Sequence, residues 1–245
     1  MALIEINNLV KVFDKQTVLA GVNLSLVEGD VKVVMGPSGC GKSTLLRCLN
    51  RLIEPTSGTI IFRGEDITKP EVDVRALRQS IGFVFQQFAL YRHLTVLGNV
   101  TLALRKIRGM NRSEANEKAM HELSRLDMAI HCDKYPSQIS GGQKQRVALA
   151  RALAMDPAVV VFDEPTSALD PIMSREVAML IKNLHRDNVT IMCVTHDLLL
   201  GRYLSERVAF LDQGIIKAED TFENLCNNHS DPQIRSFFER EASTS

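Results

Sequence analysis

The residues Gly36-Pro37-Ser38-Gly39-Cys40-Gly41-Lys42-Ser43 fit the spacing G-x-x-x-x-G-K-[ST]. Glycines at such spacing let the backbone curl until successive N–H groups point inward at phosphate oxygens. The apolar strand Val31–Met35 precedes the segment, and a helical run from Ser43 to Leu52 follows it, which is the context the spacing requires. A helix beginning there adds its positive end. Lys42 can reach the β- and γ-phosphates of ATP, and the Ser43 hydroxyl can ligate Mg²⁺. With Thr44, these are the candidate contacts for ATP and Mg²⁺. Cys40 is read as a small residue that fits the loop; the sharper alternative is a reactive thiol activated by the helix end.

Two further segments carry chemistry. Val159-Val160-Val161-Phe162-Asp163-Glu164 is an apolar strand ending in two carboxylates. Such a strand delivers them rigidly to the carboxyl edge of a sheet, where open α/β folds bind ligands. Asp163 is the candidate Mg²⁺ ligand and Glu164 the candidate general base. Ser140-Gly141-Gly142-Gln143 opens a second helix, and Ser140 with Gln143 has the spacing of a capping box. Its free N–H groups form a second anion-binding end.

The elements that must position these residues read as α/β. Alternating apolar positions in Leu3–Phe13 and Val18–Val27, clearest at Val22, Leu24 and Leu26, predict antiparallel strands with one buried face. Val31–Met35, Val159–Phe162 and Val189–Thr195 are mostly apolar and lie between helical stretches, which predicts a largely parallel sheet covered on both faces. From Leu94 to Met155 the pattern is helical. Asn111 to Glu114 reads as a capping box, with Ala119, Leu123, Leu126 and Ile130 on one apolar face. Arg207–Leu211 and Ile215–Ala218 predict a hairpin, and 222–240 a helical tail with frayed final residues.

Composition limits the function. Apolar residues make up 45% of the 245 residues, and 29 Lys and Arg balance 29 Asp and Glu. That balance disfavours bulk electrostatic binding of nucleic acid, and no nucleic-acid partner is expected. No apolar run reaches the roughly 20 residues of a membrane helix, and the N-terminus lacks a secretory pattern. A cytosolic chain with reduced thiols is therefore expected: the five cysteines contain no C-x-x-C pair.

The segment ISGGQKQRVALARAL resembles the signature of ABC ATPases, and other motifs follow in that family's order. The resemblance implies a P-loop NTPase core with an N-terminal antiparallel β-subdomain and an inserted α-helical subdomain. The expected division is a single ATPase domain, 1–245, with 1–87 and 156–245 as core and 88–155 as helical subdomain. In this family the signature of one subunit binds the γ-phosphate of ATP held by the other, so a head-to-tail dimer with a second copy is implied. Gln86 resembles the glutamine that contacts Mg²⁺ and the attacking water. Ser167 to Asp170 resembles the D-loop, His196 the switch histidine at the γ-phosphate, and Phe13 the aromatic that stacks on adenine. Lys42, Gln86, Ser140, Gly142, Glu164 and His196 are the implied catalytic set.

LLRCLNRLIEPTSG, HLTVLGNVTLA and FDEPTSALDP resemble the polar amino-acid uptake branch. That implies integral-membrane permease subunits as partners, a substrate-binding protein beyond them, and a peripheral position on the cytoplasmic face of the bacterial inner membrane. The groove for a permease coupling helix is expected in the helical lobe and the region after Gln86. Ile139 replaces the usual Leu, Phe13 the usual Tyr and Gly98 a frequent Glu, and Glu219-Asp220-Thr221 lacks a usual glycine. The C-terminus is too short for a substantial regulatory domain. An exporter or lipoprotein-release ATPase, or a non-transport ABC ATPase, is the alternative.

Overall fold

The computed structural model describes residues 2–239; the expectation for Arg240 and the final residues falls outside them. In chain order the elements are β1 (Ala2–Phe13), β2 (Gln16–Val27), β3 (Val31–Met35), α1 (Lys42–Leu49), β4 (Ser57–Phe62), β5 (Glu65–Asp66), α2 (Val74–Ser80), β6 (Ile81–Val84), α3 (Val96–Lys106), α4 (Arg112–Arg125), α5 (Gly141–Leu153), β7 (Val159–Asp163), α6 (Pro171–Arg186), β8 (Ile191–Thr195), α7 (Leu198–Leu204), β9 (Arg207–Asp212), β10 (Ile215–Thr221) and α8 (Pro232–Glu239). One sheet has the order β2-β1-β4-β5 and is antiparallel throughout. The other has the order β10-β9-β3-β8-β7-β6 and is parallel except for the β9–β10 hairpin.

Strand periodicity explains how the larger sheet is buried on both faces. Val33, Met35, Val160, Phe162, Ile191 and Cys193 join one apolar cluster, together with α3, α4, α5 and the C-terminal helices. Their strand neighbours Val34, Val159, Val161, Met192 and Val194 join a second cluster with α1 and the antiparallel sheet. Side chains alternate across a strand, so a run with no polar position is stable only between two apolar layers. The residues of α3, α4 and α5 share their buried cluster with the sheet face. No helix among the described residues is long and apolar enough to cross a membrane.

Some local expectations change. Helix α4 carries the predicted capping box, with Asn111 accepting from Glu114 N–H and Glu114 from Asn111 N–H. Ala119, Leu123 and Leu126 are buried as the spacing predicts, but Ile130 is 85% exposed. The helix ends at Arg125, Asp127 takes a left-handed φ of 56°, and Ile130 then falls in the short 3₁₀ turn Ala129–His131. Helix α1 likewise stops at Leu49, with Arg51 at φ 53°. The tail is helical in two pieces, Phe222 to Asn228 with a wide π turn over Asn224–Asn228 and then Pro232–Glu239, broken at His229 to Asp231.

Gly58, second in β4, has φ 88°, and a Cβ there would lie 2.3 Å from the carbonyl oxygen of Asn8 on β1. Gly58→Ala is expected to lower unfolding stability by about 1–3 kcal/mol through both strain and the clash. A urea midpoint shifted to lower concentration checks this.

Candidate functional site

The phosphate loop leaves β3 beside β9, where Met35 pairs with Phe210. A Cβ on Gly36 would sit 2.0 Å from the Leu211 carbonyl oxygen, so only glycine fits. Gly41 has φ 111°, and a Cβ there would meet Val18 O at 2.9 Å. Gly41 is the N-cap of α1 and supplies no side-chain cap, so the first N–H groups of that helix remain available to an anion. Lys42 is 5% exposed and donates from Nζ to the carbonyls of Gly36 at 2.7 Å and Pro37 at 3.0 Å.

Strand β7 brings the carboxylates to this loop. Asp163 is 1% exposed and accepts from Ser43 Oγ at 2.6 Å. Burial pushes its carboxyl above the usual range, the Ser43 hydrogen bond and the Arg47 guanidinium pull it back, and Glu164 adds to the rise. Glu164 adopts φ 50°, unusual for a side chain with a Cβ. Its N–H donates to Val194 O at 3.0 Å, and its carbonyl accepts from Ser167 Oγ at 3.0 Å. The turn aims Oε1 at Lys42 Nζ, 3.2 Å away, and Oε2 at His196, whose N–H donates at 3.2 Å and whose Nδ1 lies at 2.9 Å.

A cavity of about 270 Å³ gathers Ser38, Gly39, Gly41, Lys42, Ser43, Thr44, Gln86, Glu164 and His196. Val18 of β2 is a wall that the sequence reading missed; nothing in its residue type distinguishes it from other strand valines. Gly36, Pro37, Cys40 and Asp163 form the loop and strand around this cavity rather than its lining. Phe13 lies elsewhere along β1, 40% exposed, paired with Gln16 across the β1–β2 turn and with Lys11 Nζ over its ring at 4.7 Å.

The segment Ser140–Gln143 also stands outside that cavity. Ser140 is the N-cap of α5: its Oγ accepts from Gln143 N–H at 3.3 Å, and Gln143 Oε1 accepts from Ser140 N–H at 2.9 Å. Both glycines lie close against side chains, which would have to shift to admit a Cβ. A Cβ on Gly142 would meet Met173 Sδ at 2.7 Å, and one on Gly141 would meet Leu169 Cδ2 at 3.1 Å. Ser140 itself is exposed. Among the described residues, the N-termini of α1 and α5 therefore do not share a cavity.

One further residue of the site region, Asp197, was missed in the sequence, and Asp170 of the D-loop segment has a capping role. Asp197 accepts from Thr166 Oγ1 at 3.0 Å, bridging the loops after β7 and β8, and caps α7 through Leu200 N–H. Asp170 caps α6 by accepting from Ile172 and Met173 N–H. The pair Asp170-Pro171 signals that cap in the sequence, since aspartate at the N-cap followed by proline is a helix start.

A phosphate loop after a parallel strand, with buried carboxylates on a strand one position removed, defines a P-loop nucleotide-binding ATPase. The ABC transporter family profile matches residues 19–167. The glutamine transport ATP-binding protein of Escherichia coli K12 is 42% identical over 97% of this chain and 99% of its own length. The arginine transport ATP-binding protein of Bacillus subtilis 168 is 41% identical over 97% of this chain and 99% of its own length. A dimeric ATP-binding cassette solved in a post-hydrolysis state with ADP and phosphate superposes with a TM-score of 0.80 at 37% identity, over 89% of this chain and 98% of that one. The chain belongs to the ABC transporter family, among its ATP-binding and ATP-hydrolysing subunits.

Cys40 is buried, and that burial raises its thiol pKa against the opposing pull of Lys42. The structure thus favours the small-residue reading over an activated thiol. Iodoacetamide at neutral pH is expected to label Cys40 more slowly than a free cysteine, with the rate rising as pH rises and more thiolate forms. Bound ATP should slow it further; equal labelling with and without ATP would place the thiol out of the nucleotide's reach.

Proposed function

We propose that this chain hydrolyses MgATP as half of a head-to-tail dimer and thereby energises uptake of a polar amino acid through membrane permease subunits. The observation that carries the reading is the single cavity holding Lys42, Ser43, Gln86, Glu164 and His196, with the signature turn at Ser140 standing outside it. A transferring phosphoryl group needs positive charge on all its oxygens. One copy supplies the loop N–H groups, Lys42 and His196; Ser140 and Gly142 of a second copy would close the remaining side.

The residues fit a magnesium ion. Ser43, Asp163 and Gln86 would hold it, because a hard cation prefers oxygen donors and leaves positions for phosphate oxygens. The buried Asp163 carboxyl, pushed up by desolvation, is also a group that a cation would stabilise in its charged form. When bound, Mg²⁺ supplies charge neutralisation at the β- and γ-phosphates. Lys42 binds the same oxygens. Glu164 orients water and takes its proton on a carboxylate oxygen, while His196 aligns that carboxylate and reaches the γ-phosphate. Phe13, on β1 outside the phosphate cavity, would stack on adenine.

A groove of about 750 Å³ supports the coupling half of the proposal. It runs between α2, α3 and α5 and is lined by Phe83, Phe85, Tyr91 and Leu102, with Arg75, Arg78 and Lys106 on its walls. Gln86 follows Phe85 directly, so the same loop touches both the groove and the nucleotide cavity. A permease helix seated there would move that loop, with 88–155 acting as the coupling lobe against the core of 1–87 and 156–245. The names of the glutamine and arginine transport relatives support a polar amino acid as cargo. The reading places the chain on the cytoplasmic face of the inner membrane, with a substrate-binding protein as its indirect partner.

Glu164→Gln should keep ATP affinity and lower turnover by about a hundredfold or more; normal turnover would remove Glu164 from the role of base. Ser140→Arg should likewise bind ATP and fail to hydrolyse it. Co-purification with a permease, followed by an amino-acid uptake screen in liposomes, tests the transport half: uptake that ignores every polar amino acid would contradict it.

A further inference from the structure

We infer that His131 is a positioning residue that fixes the signature turn for the partner's nucleotide. This rests on the composite-site reading above. The side-chain amide of Gln143 is bonded at both ends. Its Oε1 accepts from Ser140 N–H at 2.9 Å, which completes the cap of α5. The other end of the amide, Nε2, therefore faces His131 Nε2 at 3.0 Å. An amide nitrogen only donates, so His131 Nε2 is the acceptor and the ring proton sits on Nδ1. That Nδ1 is buried and has no hydrogen-bond partner.

An orphaned buried N–H is rare in a packed protein, and stability alone would favour an apolar side chain at this position. What the imidazole provides instead is an acceptor held at a fixed place. The turn that carries it is bolted to another element. His131 N–H donates to Met128 O at 3.0 Å, and the carbonyls of Cys132 and Lys134 accept from Leu97 at 2.9 Å and Val96 at 2.7 Å in the first turn of α3. Gln143 is thereby clamped between the start of its own helix and the start of α3. On the opposite side the signature glycines press against Met173 and Leu169. With both sides fixed, the Ser140 hydroxyl and the first N–H groups of α5 keep one orientation toward a second copy. His131 is not among the residues lining the phosphate cavity of its own chain, so it acts through Gln143.

The test uses the full chain carrying Glu164→Gln, so that an ATP-bound dimer would accumulate. ATP-driven dimerisation is followed by sedimentation velocity, ATP affinity of the monomer by equilibrium dialysis, and folding by thermal melting. Adding His131→Leu removes the acceptor together with the orphaned donor. Its melting temperature and monomer ATP affinity are expected to match the parent, while the ATP concentration for half-maximal dimerisation rises about fivefold or more, the scale of one lost hydrogen bond. Adding His131→Gln instead restores an acceptor and is expected to recover most of that loss. A Leu variant that dimerises like its parent, or a Gln variant as impaired as Leu, overturns the inference alone. A parent that stays monomeric in ATP overturns the composite site and this inference with it.

Discussion

Everything at this site turns on one buried contact, the Lys42 ammonium 3.2 Å from the Glu164 carboxylate with both side chains at most 10% exposed. Removing two charges from water is expensive, and a single ion pair repays it only with further hydrogen bonds. Here those bonds exist. Lys42 also donates to two loop carbonyls, and Glu164 also receives His196. The pair therefore ties the phosphate loop after β3 to the end of β7 and the start of the loop after β8. Three parallel strands, β3, β8 and β7, lie side by side so that these groups converge. The left-handed backbone at Glu164 is the strain this convergence requires.

The same arrangement underlies the proposal that a site needs two copies. Lys42, Ser43, Glu164 and His196 surround one side of the cavity, and the second anion-binding end, at Ser140, is directed elsewhere. A helix N-terminus with Gly141 against Leu169, Gly142 against Met173 of α6, and its serine exposed is built to present N–H groups outward. Two copies related by a twofold axis would each lend that end to the other. The separation also offers a physical basis for coupling: whatever moves the signature helix or the Gln86 loop changes how completely the site is assembled.

Much of this was legible in the sequence, for identifiable reasons. The phosphate loop, the acidic strand end and the two capping boxes are local patterns whose chemistry depends on neighbours a few residues away. The two-sided burial of β3, β7 and β8 was legible because each is a short run of apolar residues. The short strands β4 and β6 and the helix α2 were not, because four to seven residues with mixed polarity carry no periodicity. Ile130 was misplaced because spacing alone does not reveal that Asp127 takes a left-handed turn. Val18 and His131 could not be found at all: their roles arise from contacts across the fold, with Gly41 and Gln143 respectively.

The central claim is that each active site is made from two copies, and mixing two inactive variants tests it most directly. A chain with Glu164→Gln keeps its signature; a chain with Ser140→Arg keeps its base. In a mixed dimer one site combines both defects and the other is intact. The account predicts that each variant alone is inactive and that an equal mixture recovers about a quarter of wild-type ATP hydrolysis, since about half of randomly paired dimers are mixed and each holds one working site. A mixture as inactive as its components would contradict a site shared between subunits.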